Sequence, residues 1–255
     1  MDKAIIYLHG TPGSPAELTL FGRADPRFHA PDRYTLSPGK DAKAAIDDLA
    51  DDLSTRFSGQ PFHLIGFSMG GYIALQLAQR LGGRVAQIDL ISSVAPFQGG
   101  DFMKEAVGGP LFALAQRQSP LFGLAIAVQH FAARTMPARF AAMLFASARG
   151  NDVELVQNPQ FIAEISKIVS DSFAHGRGGY AREMIGVTKD WRDILPEIEA
   201  PIRMWHGTLD NWAPTGMATY LRATLPDVIE FNAIDGASHY STLRTALADI
   251  AKRLP

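Results

Sequence analysis

The sequence contains no cysteine. Disulfides, thiolate metal sites and a cysteine nucleophile are excluded together. It also lacks an excess of either charge, with 24 Lys+Arg against 26 Asp+Glu. A chain so near neutrality has no basic field to hold phosphates, so nucleic acid is not an expected partner. Long apolar runs are missing too. The longest candidate, Leu111 to Phe131, is broken by Gln116, Arg117, Gln118, Ser119 and Pro120, and neither half reaches the ~18 residues that cross a bilayer. The leading run Ala4 to Leu8 follows Met1-Asp2-Lys3 and is too short for the core of a secretion signal. These absences predict a soluble, cytoplasmic protein with no membrane partner. No group of His, Asp and Glu has metal-ligand spacing and no G-x-G-x-x-G follows a strand, so no metal or cofactor is expected. What remains is an ordinary globular composition, 47% hydrophobic over 255 residues. That length suits one compact domain, or one domain carrying a large insertion.

Short β-rich apolar runs alternate with longer helical patterns. Ala4 to Leu8, Phe62 to Ile65, Ala86 to Ile91, Ile202 to Trp205 and Val228 to Phe231 read as buried strands, with Tyr34 to Leu36 as a weaker candidate. Helical patterns cover Asp41 to Phe57, Gly70 to Leu81, Thr215 to Leu225 and Thr242 to Arg253. In the second, Ile73, Ala74, Leu77, Ala78 and Leu81 mark one apolar face, and Gly82-Gly83 supplies the stop. Strand and helix in alternation predict an α/β fold, a mostly parallel, doubly wound sheet of about six strands. The alternation fails between Phe97 and Asp190, where only helical patterns occur, and seven of the 15 Phe residues fall between Phe97 and Phe145. The expected organisation is a sheet core over 1–96 and 191–255 with a helical insertion over 97–190.

Gly66-Phe67-Ser68-Met69-Gly70 follows a predicted strand and opens a predicted helix, the context that makes G-x-S-x-G informative. A serine on so sharp a turn sits in strained backbone with its hydroxyl pushed above the sheet, and the flanking glycines leave room for the chain. The helix behind it presents N–H groups where an oxyanion would form. Outside this context, the same five residues would be a plain turn. A second glycine-rich loop, His9-Gly10-Thr11-Pro12-Gly13, ends the first strand; it lacks G-K-[ST] and is no P-loop. It can turn a backbone N–H toward Ser68, which nominates Thr11 and Met69 as oxyanion donors. His9 itself reads as a structural, hydrogen-bonded histidine.

Two later loops supply the partners a serine needs. Trp205-His206-Gly207-Thr208-Leu209-Asp210 places a carboxyl just past one strand, and Gly236-Ala237-Ser238-His239-Tyr240 a histidine past the next. A hydroxyl is a weak nucleophile until an imidazole takes its proton, and the imidazole needs a carboxylate to fix its tautomer. Ser68, Asp210 and His239 therefore read as nucleophile, acid and base, with Asp235 as the rival acid. Alone, Asp210 and His239 would pass for surface residues; their order and context set them apart.

On these residues the sequence resembles the α/β-hydrolase fold superfamily, carried by HGTPG at 9–13, GFSMGG at 66–71, WHGTLDNWAP at 205–214 and GASHYS at 236–241. The resemblance implies the same triad and oxyanion donors, and it identifies the insertion with the superfamily's cap. The first strand already bears the His-Gly loop, so the two leading strands common in that fold are missing. GFSMGG is as similar to esterases as to enol-lactonases, carbon–carbon bond hydrolases and cofactor-free haloperoxidases. Epoxide hydrolases and haloalkane dehalogenases carry a carboxylate where Ser68 stands, which argues against both. The expected function is a serine hydrolase cleaving a carboxylic ester or related acyl bond of a small apolar substrate. A C–C bond hydrolase or enol-lactonase is the alternative on the same triad, and a non-catalytic ligand-binding protein the alternative of another class. Phe102, Phe112, Leu121, Phe122, Phe131, Phe140 and Phe145 are candidates to line an apolar substrate pocket, with Trp212 at its rim and Phe102 and Phe122 singled out; the other reading of the seven is the insertion's own core and its contact with the sheet, and of Trp212 a packing role.

Overall fold

The strand Ala4–Leu8 (β1) is buried at all five positions, as a strand covered on both faces must be. In the computed structural model, which describes residues 3–22 and 25–254, it is one of six. Met1 and Asp2, at the head of the sequence, lie outside the described residues. The other strands are Phe28–His29 (β2), Phe62–Phe67 (β3), Val85–Ile91 (β4), Ile202–Gly207 (β5) and Val228–Ile234 (β6). They form a single sheet in the order β2-β1-β3-β4-β5-β6, with every neighbouring pair parallel.

One expected strand moves. Tyr34–Leu36 is a turn, pinned by the Tyr34 N–H donating 3.1 Å to the Asp32 side chain. The edge strand is instead Phe28–His29, which pairs with Ile5 and Ile6. Two residues are too few to leave a periodic signal; the neighbouring strand's unpaired groups define them.

Helices Ala42–Arg56 (α1) and Met69–Leu81 (α2) return the chain to the sheet. The side chain of Asp41 caps α1 by accepting from the Ala44 N–H at 2.9 Å. Its buried residues Ala42, Ala45, Ile46, Leu49 and Leu53 repeat at three- and four-residue steps, the stripe expected of a helix lying on a sheet. Between β4 and β5 seven helices follow without a strand among the described residues: Phe102–Glu105 (α3), Gly109–Gln116 (α4), Pro120–Thr135 (α5), Pro137–Leu144 (α6), Asp152–Val156 (α7), Pro159–Ser172 (α8) and Gly178–Thr188 (α9). Thr215–Thr224 (α10) and His239–Arg253 (α11) complete the chain. The last helix begins three residues earlier than its apolar pattern suggests.

The insertion shares its core with the sheet. Phe145 and Phe161 pack on Tyr240 of α11 with ring centroids 5.2 and 5.8 Å apart. One buried charge cluster crosses three adjacent strands: Asp89 of β4, 0% exposed, takes 2.8 and 2.9 Å hydrogen bonds from the Arg203 guanidinium and lies 2.7 Å from His63 Nε2. A carboxylate so buried persists only when paired on this scale.

Candidate active site

Strand order reverses between β1 and β3, because the chain leaves β1 toward β2 and returns across it to β3. At such a switch point the loops beyond the carboxyl ends diverge and leave a crevice. Residues 9–13 and Ser68 follow those two strands directly. Ser68 has φ +56° and ψ −122°, a left-handed conformation unfavourable for a residue with a Cβ. Its backbone is held by an N–H bond of 2.9 Å to the Ile91 carbonyl, while its own carbonyl accepts from Gly71 at 3.0 Å. Glycine at 66 and 70 is steric necessity. A Cβ on Gly66 would lie 2.6 Å from the Gly71 backbone, and one on Gly70 would collide with the Leu8 carbonyl. The turn can therefore fold only with α2 pressed against the end of β1.

The loop after β1 is fixed from two sides. Beneath it, Glu17, 0% exposed, accepts from the Gly10 N–H at 2.9 Å and from the Tyr7 hydroxyl at 3.0 Å. Burial pushes this carboxyl up to about 7, against the opposing pull of those two donors, Arg33 and His239. Beside the loop, Tyr34 donates 2.9 Å to the Thr11 hydroxyl, which donates 3.2 Å to Glu183. Glu183 is gripped at both oxygens by the buried Arg33 guanidinium at 2.9 Å, the fork geometry that gives the firmest ion pairs. Among the described residues neither the Thr11 nor the Met69 backbone N–H donates to another group, and both residues line the cavity that Ser68 faces. His9 is fully buried, with Nδ1 2.8 Å from the Gly10 carbonyl and its ring edge-on to Tyr34. Burial and the Arg33 charge hold it well below the usual imidazole range, so it stays neutral.

Asp210 and His239, 29 residues apart, meet with Oδ2 and Nδ1 2.8 Å from one another. The other Asp210 oxygen accepts from the N–H groups of Trp212 at 2.9 Å and Ala213 at 3.0 Å. Burial alone would raise the Asp210 carboxyl. The attraction and hydrogen bond of His239, with help from His206 and Ala213, outweigh it and leave the group below its ordinary value. Asp235 is exposed and engages Thr208 at 3.3 Å, away from His239. The imidazole lies between rings, stacked on Trp212 at 5.2 Å and tilted on Phe67, Ser68's neighbour, at 4.7 Å. Ser68 and His239 thus stand at the same end of the sheet, although no hydrogen bond joins them among the described residues.

A residue that sequence reasoning missed completes this corner. Asp152, the first residue of α7 and 1% exposed, accepts from the N–H groups of Tyr240 at 3.0 Å and Ser241 at 2.7 Å, and from the Ser241 hydroxyl at 2.6 Å. Its neighbour Asn151 donates 2.9 Å to the Gly236 carbonyl, and the Asn211 amide donates 2.8 Å to the Ser147 carbonyl. The segment 147–152 of the insertion therefore ties down both loops that carry Asp210 and His239. Nothing local in Asn151-Asp152-Val153-Glu154 marks this role.

Above Ser68 lies a cavity of about 290 Å³. Thr11, Ser68 and Met69 line it from the sheet side, and Phe112, Met143 and Met184 from the insertion. Trp212 also lines it. Phe102 and Phe122 do not: Phe102 packs on Tyr220 at 6.0 Å, and Phe122 is buried on the inner side of α5. Among the described residues none of those lining the cavity is charged. Its polar wall is a pair from the insertion, with Tyr180 donating 2.8 Å to the Gln129 amide oxygen.

The chain has relatives in sequence and fold. Over 209 residues the chain is 24% identical to a pimeloyl-acyl-carrier-protein methyl ester esterase of Chromobacterium violaceum, covering 79% of this chain and 74% of that one. A thermophilic esterase from Thermogutta terrifontis superposes with a TM-score of 0.67 at 18% identity, covering 100% of this chain and 91% of the other. The enol-lactonase from Burkholderia xenovorans LB400 does so with a TM-score of 0.63 at 17% identity, covering 99% and 90%. These structural likenesses are likenesses of fold. The model of the alpha/beta hydrolase family matches residues 5–253, nearly the whole chain, and the protein belongs to that family.

Proposed function

We propose that the protein is a serine hydrolase that cleaves the ester bond of a small, neutral, apolar carboxylic ester, with Ser68 as nucleophile, His239 as base and Asp210 as acid. The observation that carries this reading is the pairing of His239 Nδ1 with Asp210 Oδ2 at 2.8 Å behind a serine held at φ +56°. With the Nδ1 proton committed to Asp210, Nε2 keeps its lone pair and is the atom free to take a proton.

The reaction follows from these positions. Ser68 Oγ adds to the ester carbonyl carbon while its proton passes to His239 Nε2, and Asp210 stabilises the imidazolium. The carbonyl oxygen becomes an oxyanion held by the N–H groups of Thr11 and Met69, a reading supported by their having no other partner among the described residues. Collapse expels the alkoxide, which leaves as the alcohol with the proton from His239. Water then gives a proton to His239 and attacks the acyl-enzyme, releasing the acid and restoring Ser68. The helices between β4 and β5 serve as a cap, supplying Phe112, Met143, Met184 and the Gln129–Tyr180 pair to the cavity.

The uncharged lining favours an ester over a carbon–carbon bond substrate that carries a free carboxylate, since a buried anion without a cation is costly. A neutral lactone is the cyclic case of the same bond. The relative from Chromobacterium violaceum, named as a methyl ester esterase, supports the ester class. The test is a panel of p-nitrophenyl esters of rising chain length, neutral lactones and a carboxylated vinylogous diketone, together with a fluorophosphonate probe. Turnover of neutral esters and labelling lost in Ser68→Ala are expected, with kcat falling ~10³-fold or more in that variant. Labelling that persists in Ser68→Ala overturns the nucleophile. Labelling without turnover of any ester overturns the substrate class, and neither labelling nor turnover returns the protein to ligand binding alone.

A further inference from the structure

Four large apolar side chains on α5 face solvent. Leu121, Leu124, Val128 and Phe131 are 60%, 61%, 60% and 60% exposed. At 3.6 residues per turn they fall within an arc of about 80°, along a helix about 24 Å long. The opposite side of α5, with Phe122, Ile126 and Ala133, is buried in the core. This is a complete apolar stripe pointing outward from a helix whose inner side is already satisfied. Isolated exposed leucines are common, but a contiguous patch of this kind marks an interaction site.

The charges nearest to it in sequence have one sign. Residues 106–151 include four arginines and neither aspartate nor glutamate, in a chain with 26 acidic residues. Arg117, Arg134, Arg139 and Arg149 are all exposed, and none pairs with a carboxylate among the described residues. Arg134 donates to the Ser170 carbonyl and hydroxyl, and Arg139 approaches only the Met136 sulfur. An apolar helix face with unpaired arginines around it has the composition of a segment that lies in the headgroup layer of an anionic membrane. The helix also packs on α4, α6 and α8, and of these α8 carries acidic residues, Glu164 and Asp171, the second paired with Lys167. Met143 of α6, 59% exposed, both lines the cavity and reaches the surface.

We propose that the outer face of α5, with Arg117, Arg134 and Arg139 around it, docks the protein on an anionic lipid surface. A fluid acyl layer accepts an apolar strip of any relief, and the arginines meet the lipid phosphates. On the ester-hydrolase reading, on which the role of the contact rests, docking brings the cavity beside the layer where apolar esters concentrate. The contact is peripheral. The expectation of no membrane partner rested on the lack of a spanning run, and indeed no helix among the described residues is long and apolar enough to cross a membrane.

The experiment is co-sedimentation with vesicles of phosphatidylcholine, with and without phosphatidylglycerol, across ionic strength. The protein is expected to sediment with the anionic vesicles and to release in high salt. Leu124→Glu with Phe131→Glu should weaken this at least ~10-fold, and Arg134→Gln with Arg139→Gln should erase the preference for phosphatidylglycerol. Both variants should hydrolyse a soluble short-chain ester as the parent does. If the glutamate variant fails to fold, the glutamine variant decides. Ser68→Ala should sediment like the parent, so failure of the hydrolase reading and failure of the docking reading are separable. No sedimentation with either vesicle overturns the proposal, as does undiminished binding by the glutamate variant. A lipid-free dimer that the glutamate substitutions dissociate would assign the face to a second copy of the chain instead.

Discussion

Asp152, at the start of a helix in the insertion, accepts both the backbone N–H and the hydroxyl of Ser241, at 2.7 and 2.6 Å. The same carboxyl accepts from the Tyr240 N–H, so it spans the first turn of the helix that His239 begins. Asp152→Asn exchanges one acceptor for a donor that faces an N–H, at a cost of about 1–3 kcal/mol. For a chain of this size that is about 2–4 °C in Tm per kcal/mol. The imidazole then loses its fixed bearing toward Ser68, and kcat should fall by about tenfold, or 1.4 kcal/mol of barrier, with KM unchanged. Steady-state kinetics beside a melting curve decide it. A lower Tm with unchanged kcat would leave Asp152 a helix cap and nothing more.

Asp210→Asn and Asp235→Asn should behave very differently. Asn at 210 cannot stabilise the imidazolium and should reduce kcat by about 10³–10⁴-fold. Asn at 235 removes only a long bond from Thr208 at an exposed position and should stay within about 0.5 kcal/mol of parent stability, with activity kept. If the second variant proved the more damaging while both stayed folded, the acid would have to be reassigned.

Glu17 gives the fold a pH dependence of its own. Its carboxyl titrates near 4.5 when unfolded and at about 7 when buried. Between those values the native state holds a proton that the unfolded chain has lost, so stability falls as pH rises through this window. The contribution is full below about 4.5 and lost above about 7, with an upper bound of about 3 kcal/mol at 1.36 kcal/mol per pH unit. Glu17→Gln mimics the protonated form and should flatten the fall of Tm between pH 5 and 8. Parallel Tm curves for the two proteins would refute this.

Activity should follow the imidazole. Asp210 stays ionised because His239 holds it below the ordinary carboxylate range, so its proton plays no part near neutrality. A base that works only when neutral then gives kcat/KM a single limb that ascends with pH. Glu17→Gln should keep that limb, which separates it from the buried Glu17 carboxyl, raised to about 7. A profile flat from pH 5 to 9 would remove histidine from the proposed chemistry.

Local chemistry alone carried the plan of this molecule. Ala4 to Leu8, Phe62 to Ile65 and Ala86 to Ile91 announce themselves because a strand buried on both faces reads as a nearly continuous apolar run, broken here only by His63, Gln87 and Asp89. The turn at Ser68 announces itself by glycine two residues before and two after: Gly66 is demanded by the turn's own backbone, while Gly70 is demanded by the end of β1, which only the fold brings there. Asp210 and His239 are legible as residues that follow strands, since parallel strands deliver their following loops to one edge. Tertiary structure decided the rest. Phe28–His29 became the edge strand in place of Tyr34–Leu36 because Ile5 and Ile6 offered it a partner. Phe112 rather than Phe102 or Phe122 reached the cavity, because each ring's direction depends on how seven short helices settle on one another. Asp152 and Tyr240 are 88 residues apart. Propensity and periodicity act over a few residues, whereas a contact closed by such a loop exists only once the surrounding core has formed to hold both ends.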